Sequence, residues 1–510
     1  MGKDKANSKS KSFYQKIRKH IRRYDPFEFG LIASEYIRKS LSARKNGMRL
    51  YPPHLLLNGI EVSCLYFDKN VKRELDLKRF ENIVNIYKDF INPYDQHELD
   101  KENAEGLFNF LVVEARNQYP LQRELDYKIF SRSVLLFSKT SNLKSYRDKF
   151  QSEYNLSIDE WIILCFSIFS LLIGNNQLFF IPENILDSEI EQIPKDKLTH
   201  FLKLSSLTNA EVAKKIQKEF DSFQPFLWIF IRSIFFEYPF LNCSGKYLCP
   251  HPNLLSFLAC EKLHILLSNQ NKNEFYSDFG NTFENYVKSL LSDLDHVIIS
   301  NENETRSKYN ISNGEICDFV VEFSDCFLLI ETKAIQFTRR IVNLEYLAKS
   351  NSSKKISKAY NQLLSTTKSI HKKANKPIYA LCITFGQLFF PNQEIYVNTV
   401  IIPNIDKSLL KFVDHLSMPI QTLSIDAFEM LLEIIEYNNF SPLELFTSHI
   451  KINPQVFQFF EALLSPLYSS IEKTHNSILQ REFKDFLIDH GLKQAYDRSI
   501  KPNTGKQKRG

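Results

Sequence analysis

Two short apolar runs separated by a polar break dominate the centre of this chain of 510 residues. They span residues 319–323 and 326–330, and Ser324 and Asp325 lie between them. Runs of this length, rich in Val, Ile and Phe and joined by a turn signal, predict the two strands of a β-hairpin buried in a sheet. The hairpin constrains the fold more than any other stretch of the sequence.

Charged residues stand at the ends of both runs, where a buried sheet is expected to be apolar. Asp318 precedes the first run, and Glu331 and Lys333 follow the second. Side chains alternate between the two faces of a strand, so Glu331 and Lys333 lie on the same face. A hairpin also brings the start of its first strand beside the end of its second, which places Asp318 with them. Burying two carboxylates and an amine is costly unless a metal ion or a phosphate compensates, so we expect a functional site here.

The segments that flank the hairpin predict an α/β unit. An apolar stripe at three- and four-residue spacing predicts a helix that begins at Ser277 or Asp278 and carries Glu284 beside Phe283. The apolar pattern predicts four more elements, namely strands at residues 296–300, 376–385 and 396–402 and a helix at residues 355–373. The order helix, three strands, helix and two strands is typical of a sheet covered by helices.

The residues at the hairpin ends suit the hydrolysis of a phosphodiester bond with Mg²⁺. This ion is held by one or two carboxylates and keeps several waters, so Asp318 and Glu331 are candidate ligands, together with the carbonyl of Thr332. Lys333 would orient or deprotonate the attacking water and stabilise the charge that develops on the phosphate. Mn²⁺ is the expected substitute metal.

Two residues on the neighbouring helices are further candidates. Glu284 would reach the metal directly or through water, and Gln362 would contact a phosphate or the metal-bound water. Each residue also has a simpler interpretation, Glu284 as a surface glutamate and Gln362 as part of a polar helix face. The sequence leaves both interpretations open.

The motif and its setting resemble those of the PD-(D/E)XK nuclease superfamily, which has the restriction-endonuclease-like fold. The match consists of Asp318, a spacer of twelve residues and the triplet ETK at residues 331–333, and Glu284 in GNTFENYV resembles the helix glutamate of many members. Cys317 replaces the proline that precedes the aspartate in the family, a position that coordinates nothing. The resemblance covers residues 275–405. It implies a mixed sheet flanked by helices in αβββαβ order and Mg²⁺-dependent cleavage of DNA.

The rest of the chain is predicted to be mainly helical. The predicted divisions are a basic flexible tail at residues 1–23, a mainly helical domain at 24–236, a connector at 237–274, the nuclease-like domain at 275–405, a C-terminal helical region at 406–498 and a basic disordered tail at 499–510. As an alternative to the flexible tail, residues 13–23 would form a basic helix. The connector is predicted to contain short strands that lead into a helix.

The net charge of +6 is concentrated at the two ends of the chain. Residues 1–23 contain nine Lys or Arg and one Asp, and residues 501–509 contain four Lys or Arg and no acid. Such segments suit contact with a polyanion such as nucleic acid, although basic tails are often simply solvated. Basic residues after the hairpin are candidates for binding DNA phosphates or, alternatively, form a solvated face, and these are Arg339, Arg340, Lys354, Lys355 and Lys358.

The cysteine pattern and the apolar runs favour a protein of the reducing cytoplasm. Eight cysteines are scattered through the chain without the pattern of a disulfide framework, and no signal peptide precedes them. The longest apolar run covers residues 161–173. A membrane span needs about 20 residues, so we expect no contact with a membrane.

One group of Cys and His residues invites comparison with zinc sites. Its members are Cys243, Cys249, His251, Cys260 and His264. Their spacings match no common zinc-finger pattern. Cys260 and His264 lie one helical turn apart, but buried free cysteines are common in helices. Zinc is therefore not the expected metal.

The sequence as a whole favours a Mg²⁺-dependent DNA endonuclease. By analogy with stand-alone nucleases that carry helical extensions, the expected setting is bacterial restriction or anti-phage defence. Two other functions stay open, a catalytically silent module of the same fold that binds nucleic acid or regulates a partner, and an RNA nuclease. DNA is the expected partner, joined by a second copy of the chain or by a protein encoded in the same operon.

Overall fold

The computed structural model describes residues 3–43, 51–98, 120–121, 127–174, 180–182, 194–222, 231–336, 347–386, 393–450, 460–471 and 477–492. Within these residues the protein is mixed α/β and helices predominate. The helices are α1 (Lys3–Ile21), α2 (Pro26–Ala43), α3 (Pro53–Tyr66), α4 (Leu77–Glu98), α5 (Lys128–Ser133), α6 (Lys144–Tyr154), α7 (Ile158–Gly174), α8 (Lys195–Ser205), α9 (Asn209–Ser222), α10 (Asn253–Phe257), α11 (Leu263–Ser268), α12 (Lys272–Leu291), α13 (Glu302–Tyr309), α14 (Asn351–Ile370), α15 (Gln393–Tyr396), α16 (Ile425–Asn438), α17 (Pro442–Glu444), α18 (Phe460–Tyr468) and α19 (Ile478–Asp489). The strands are β1 (Phe180–Pro182), β2 (Ser206–Thr208), β3 (Phe240–Cys243), β4 (Lys246–Leu248), β5 (Ile298–Asn301), β6 (Phe319–Glu322), β7 (Phe327–Lys333), β8 (Ile378–Thr384) and β9 (Gln421–Ser424).

A five-stranded sheet carries the predicted site. Its strands are ordered β5-β6-β7-β8-β9, with antiparallel pairing from β5 to β7 and parallel pairing from β7 to β9. Phe319 of β6 pairs with Ile330 of β7, which confirms the predicted hairpin. Parallel neighbours need a crossover connection, and the chain segment with helix α14 supplies it between β7 and β8.

Helices cover both faces of this sheet, as the alternating side chains of β7 show. Leu328 and Ile330 belong to the largest hydrophobic cluster among the described residues, the main core, together with residues of α12 and α16. Leu329 points the other way and clusters with Ala359 and Leu363 of α14. The hairpin is therefore buried between α12 and α16 on one face and α14 on the other.

The predicted strand at residues 396–402 is wrong. Tyr396 ends the short helix α15, and the turn that follows it is also helical. Tyr396, Val400 and Ile401 are buried at four- and one-residue intervals, which suits one face of a helix and not the alternation of a strand. The fifth strand of the sheet is β9, so the sheet extends past residue 405.

The prediction of a flexible tail at residues 1–23 is wrong for Lys3–Ile21, which forms helix α1. Phe13, Tyr14 and Ile17 of this helix are buried in a separate N-terminal core that includes residues of α2, α3 and α4. Burial of one face supports the alternative prediction of a basic helix. The basic tail predicted at residues 499–510 lies outside the described residues.

A small second sheet joins the mainly helical region to the connector. Its strands are ordered β1-β4-β3-β2, with β2 parallel to β3 and the other pairs antiparallel. Strands β3 and β4 and the helices that follow them match the prediction for the connector. Strands β1 and β2 lie in the region that the sequence predicts to be mainly helical.

A buried ion network ties helix α12 to both flanking helical regions. Arg132 of α5 donates hydrogen bonds to the two carboxylate oxygens of Glu429 on α16, at 2.7 and 2.6 Å, and also pairs with Asp426. The hydroxyl of Tyr286 on α12 donates to Glu429 Oε1 at 2.5 Å. The main core likewise contains side chains from all three regions. The five-stranded sheet and the helices around it therefore form one packed unit.

Among the residues that the structure describes, no single helix has the length and apolar character needed to cross a membrane. Ser141–Tyr154 and Ile158–Gly174 meet the length and composition requirement only as a pair, and the pair is bent by 69°. Trp161 and Phe166 of the second helix are buried in the main core.

Candidate active site

The end of the hairpin brings Asp318, Glu331 and Thr332 into direct contact. The backbone N–H of Asp318 donates a hydrogen bond to Glu331 Oε2 at 3.1 Å. In the other direction, the backbone N–H and the hydroxyl of Thr332 donate to Asp318 Oδ2 at 2.7 and 2.6 Å. Each carboxyl group is thus held by hydrogen bonds from the opposite strand.

Lys333 and Gln362 complete this group. The ammonium of Lys333 forms an ion pair with Glu331 and donates to Gln362 Oε1 of α14 at 3.0 Å. Gln362 Nε2 in turn donates to the carbonyl of Ile316, just before β6, at 3.3 Å. The structure therefore brings together predicted residues from the hairpin and from the helix that follows it, namely Asp318, Glu331, Thr332, Lys333 and Gln362.

The two carboxyl groups of the hairpin are held in surroundings that disfavour their charge. Burial, and then the charge of Asp318, raises the pKa of Glu331 from its ordinary value of 4.5 to about 8. Burial also raises the pKa of Asp318, and this effect outweighs the hydrogen bonds from Thr332 and the charge of Lys333. An additional positive charge at this point would therefore stabilise the ionised pair.

Lys333 is a cation in these surroundings. Burial by itself lowers the pKa of its amine, but the charges of Glu331 and Asp318 outweigh burial and raise that pKa above its ordinary value. A group that keeps its proton suits the orientation of water and the stabilisation of negative charge better than the removal of a proton.

Two further acids act electrostatically on this site. Glu284 of α12 is half-buried, and burial together with the charges of Asp318 and Glu302 raises its pKa. Glu302 begins α13 directly after β5, and its charge also raises the pKa of Asp318. The sequence prediction missed Glu302. The pairing register of β5 with β6 would have revealed it. Asn301 pairs with Phe319, so the next position of the antiparallel pair brings Glu302 beside Asp318.

The donors at the hairpin end fit Mg²⁺, which takes oxygen ligands from one or two carboxylates and fills its other positions with water. Glu331 is buried and Asp318 is partly buried, and the charge of Asp318 raises the free energy of ionised Glu331. The carbonyl oxygen of Thr332 is the third predicted donor. Within the described ranges, no group of three or more His, Cys, Asp or Glu side chains is arranged to hold a metal ion. The role of Glu284 as an additional ligand stays a prediction.

Helix α14 presents basic residues next to this site. Lys354 and Lys358 are exposed, and with Gln362 they follow one another at four-residue spacing. Residues at this spacing lie along one side of a helix. Because Gln362 contacts Lys333, the two lysines form a line that leads toward the hairpin end.

The other predicted phosphate contacts have different surroundings. Lys355 is exposed and stands over the ring of Tyr276, with its ammonium 5.6 Å from the ring centre. Lys358 forms an exposed ion pair with Glu315 at 2.9 Å, of the kind that contributes little to stability. Two predicted residues lie outside the described residues, and these are Arg339 and Arg340.

Cys249, His251 and His264 of the connector each contact a neighbouring polar group. Cys249 donates to the carbonyl of His251 at 3.3 Å, and His251 Nδ1 accepts from the backbone N–H of Asn253 at 3.1 Å. His264 Nδ1 lies 3.1 Å from Nε2 of Gln336. Among the described residues, the second ring nitrogen of each histidine, Nε2, is buried and has no hydrogen-bond partner.

Comparison with known proteins adds no relative. No protein-family model, no curated protein and no solved structure matches this chain. The resemblance to PD-(D/E)XK nucleases therefore depends on the residues of the hairpin and its flanking helices.

Proposed function

We propose that this protein is a Mg²⁺-dependent endonuclease that hydrolyses phosphodiester bonds of DNA in the cytoplasm, in bacterial restriction or anti-phage defence. One observation carries the proposal. Buried Glu331 and partly buried Asp318, both with raised pKa values, meet a lysine cation at one end of a hairpin, in the D…ExK spacing of PD-(D/E)XK nucleases. The order α12, β5, α13, β6, β7, α14, β8 supports an αβββαβ nuclease core in which α13 is an addition.

The residues of the hairpin divide the chemistry between them. A divalent cation bound here would neutralise the scissile phosphate and stabilise the leaving oxygen. Asp318 and Glu331 would hold that cation, because hydrogen bonds from the opposite strand already fix both carboxylates. Lys333, which carries a positive charge, would orient the attacking water and offset the negative charge on the phosphate. Gln362 is a positioning residue, since it holds the Lys333 ammonium and is itself tied to the chain before β6.

The lysines of α14 give the substrate a path to this chemistry. Lys354 and Lys358 lie on the same side of the helix as Gln362, so a phosphodiester chain bound along them would reach the hairpin end. Contacts of this kind position the backbone of a nucleic acid and do not read its sequence. The site therefore suits a nuclease whose target choice lies elsewhere in the chain or in a partner.

Cleavage of supercoiled plasmid tests the proposal directly. The wild-type protein should nick or linearise the plasmid with Mg²⁺ or Mn²⁺ and not with EDTA. Lys333→Ala should lower the rate by about 100-fold or more, since it removes a preorganised charge at the reacting phosphate. Lys376→Ala is the matched control, because Lys376 belongs to the opposite end of the same sheet, where it pairs with Glu322 at 3.4 Å. Circular dichroism should show that both variants fold.

The outcomes separate the three functions. Equal cleavage by wild type and Lys333→Ala would show that the chemistry lies elsewhere. Absence of cleavage, combined with Mg²⁺ binding in calorimetry, would indicate an enzyme that awaits a partner or a signal. Absence of both would favour a silent binding module. Matched DNA and RNA, as duplexes and as single strands, decide between the two substrates.

A further inference from the structure

Cations from α1 form one half of a basic patch on the N-terminal core. Lys16 and Lys19 are exposed on the helix, and Arg23 follows its last turn. Burial lowers the pKa of His20, and the charges of these three residues lower it further. The three cations therefore lie close enough together to act on one imidazole.

A second segment, far away in the sequence, supplies the other half. The backbone N–H of Asp68 donates to the carbonyl of Arg22 at 2.9 Å, and that of Arg73 donates to the carbonyl of Arg23 at 2.7 Å. These bonds hold the loop after α3 against the end of α1, and Lys69 and Arg73 of that loop are exposed. We name the resulting set the α1 basic patch, and it consists of Lys16, Lys19, Arg23, Lys69 and Arg73.

The patch keeps its positive charge. None of its five side chains forms an ion pair with a residue that the structure describes. Asp25 and Glu28, which lie in the same region, are instead paired with Lys72 at 3.0 and 3.5 Å. Concentrated positive charge without partners raises the local concentration of a polyanion and binds it through its phosphates.

The buried side of α1 decides which polyanion fits. Phe13, Tyr14, Ile17 and Ile21 are buried in the N-terminal core. A helix binds a membrane surface by inserting its apolar face between the lipid headgroups, and this helix has no such face available. What it offers outward is charge, which matches the regularly spaced phosphates of a nucleic acid.

We propose that the α1 basic patch is a second nucleic-acid contact, which holds DNA by its backbone while the hairpin site acts on it. The choice of DNA rests on the proposed function. The patch belongs to the N-terminal core, whereas the hairpin is buried in the other clusters, so the two surfaces are built by different parts of the chain. The proposal gives the helical N-terminal region the task of retaining the substrate.

Fluorescence anisotropy with the full-length protein tests this proposal. A labelled DNA duplex is titrated in EDTA, which prevents metal-dependent cleavage, at salt concentrations from about 50 to about 200 mM. The patch variant combines three substitutions, Lys16→Gln, Lys19→Gln and Arg73→Gln. The control variant removes three exposed lysines on α6, α8 and α19 around the main core, through Lys144→Gln, Lys203→Gln and Lys484→Gln.

The slope of log affinity against log salt is the decisive quantity. Each lost phosphate contact reduces its magnitude by about 0.9, so the patch variant should lose about 2.7 and the control variant should keep the wild-type slope. Equal slopes for all three proteins would overturn the proposal. The proposal would also be overturned if the patch variant bound phosphatidylserine vesicles more weakly than wild type but bound DNA equally well, since that result would assign the patch to a membrane. A patch-dependent slope in a protein that neither cuts DNA nor binds Mg²⁺ would support the patch and refute the nuclease.

Discussion

Binding of Mg²⁺ at the hairpin should release a proton, and the structure sets the amount. The cation competes with the proton on Glu331, whose pKa is about 8 in the metal-free protein. A carboxyl group with this pKa is about 90% protonated at pH 7, so binding should release about 0.9 proton there and about 0.1 at pH 9. The apparent affinity for Mg²⁺ should accordingly rise about tenfold between these two pH values.

Isothermal titration calorimetry measures this release, because the buffer takes up each proton and adds its own ionisation heat. The slope of the observed heat against the ionisation enthalpy of several buffers at pH 7 gives the number of protons. Glu331→Gln should remove this contribution and weaken binding. Glu322→Gln is the matched control, since Glu322 lies at the other end of the hairpin, paired with Lys308 at 2.6 Å. The reasoning fails if wild type binds Mg²⁺ without buffer-dependent heat, or if Glu331→Gln behaves like wild type.

Three further measurements probe the same structure. Glu284→Gln should raise the Mg²⁺ concentration needed for half-maximal cleavage by about 10- to 100-fold, as supporting residues of metal sites do, and an unchanged metal titration would exclude Glu284 from the site. Arg132→Met should lower the free energy of unfolding by about 3–5 kcal/mol, because Glu429 stays buried without its cation, and a denaturant midpoint equal to that of wild type would contradict this. As pH rises from about 5 to about 8, wild type should lose stability relative to Glu331→Gln. The cause is that the folded protein retains on Glu331 a proton that the unfolded chain has released. An equal change in melting temperature of both proteins across this range would contradict this prediction.

Local patterns were sufficient to predict the hairpin and its charged ends. The two apolar runs and the turn between them are encoded within fifteen residues, and alternation along the strand places Glu331 and Lys333 on one face. Glu302 escaped prediction because its position depends on the pairing of β5 with β6. That pairing joins residues about twenty positions apart, and no local pattern reports it.

The edge strand shows a different limit of sequence reasoning. Strand β9 reads QTLS, and its polar side chains are buried because the structure supplies hydrogen-bond partners for them. The hydroxyls of Tyr360 and Thr422 lie 3.2 Å apart, and Gln421 Nε2 donates to the carbonyl of Pro419 at 2.7 Å. Hydrophobic periodicity cannot detect a strand that is stabilised in this way. The apolar segment around Val400 was mistaken for the strand because a short apolar run fits a buried helix equally well.

The continuous main core also limits how this protein can be recombined or engineered. Phe283 of α12, Phe428 of α16 and Trp161 of α7 belong to one cluster, and Arg132 of α5 bonds across the same junction. A fragment cut at residues 275 and 405 would carry the hairpin but lose the edge strand and expose the apolar side of α12 to water. The sheet is therefore transplantable only with its neighbouring helices. In a chimaera with another protein, the junctions should therefore lie outside the main core. A shortened version of this protein should include α5 to α7 and α16.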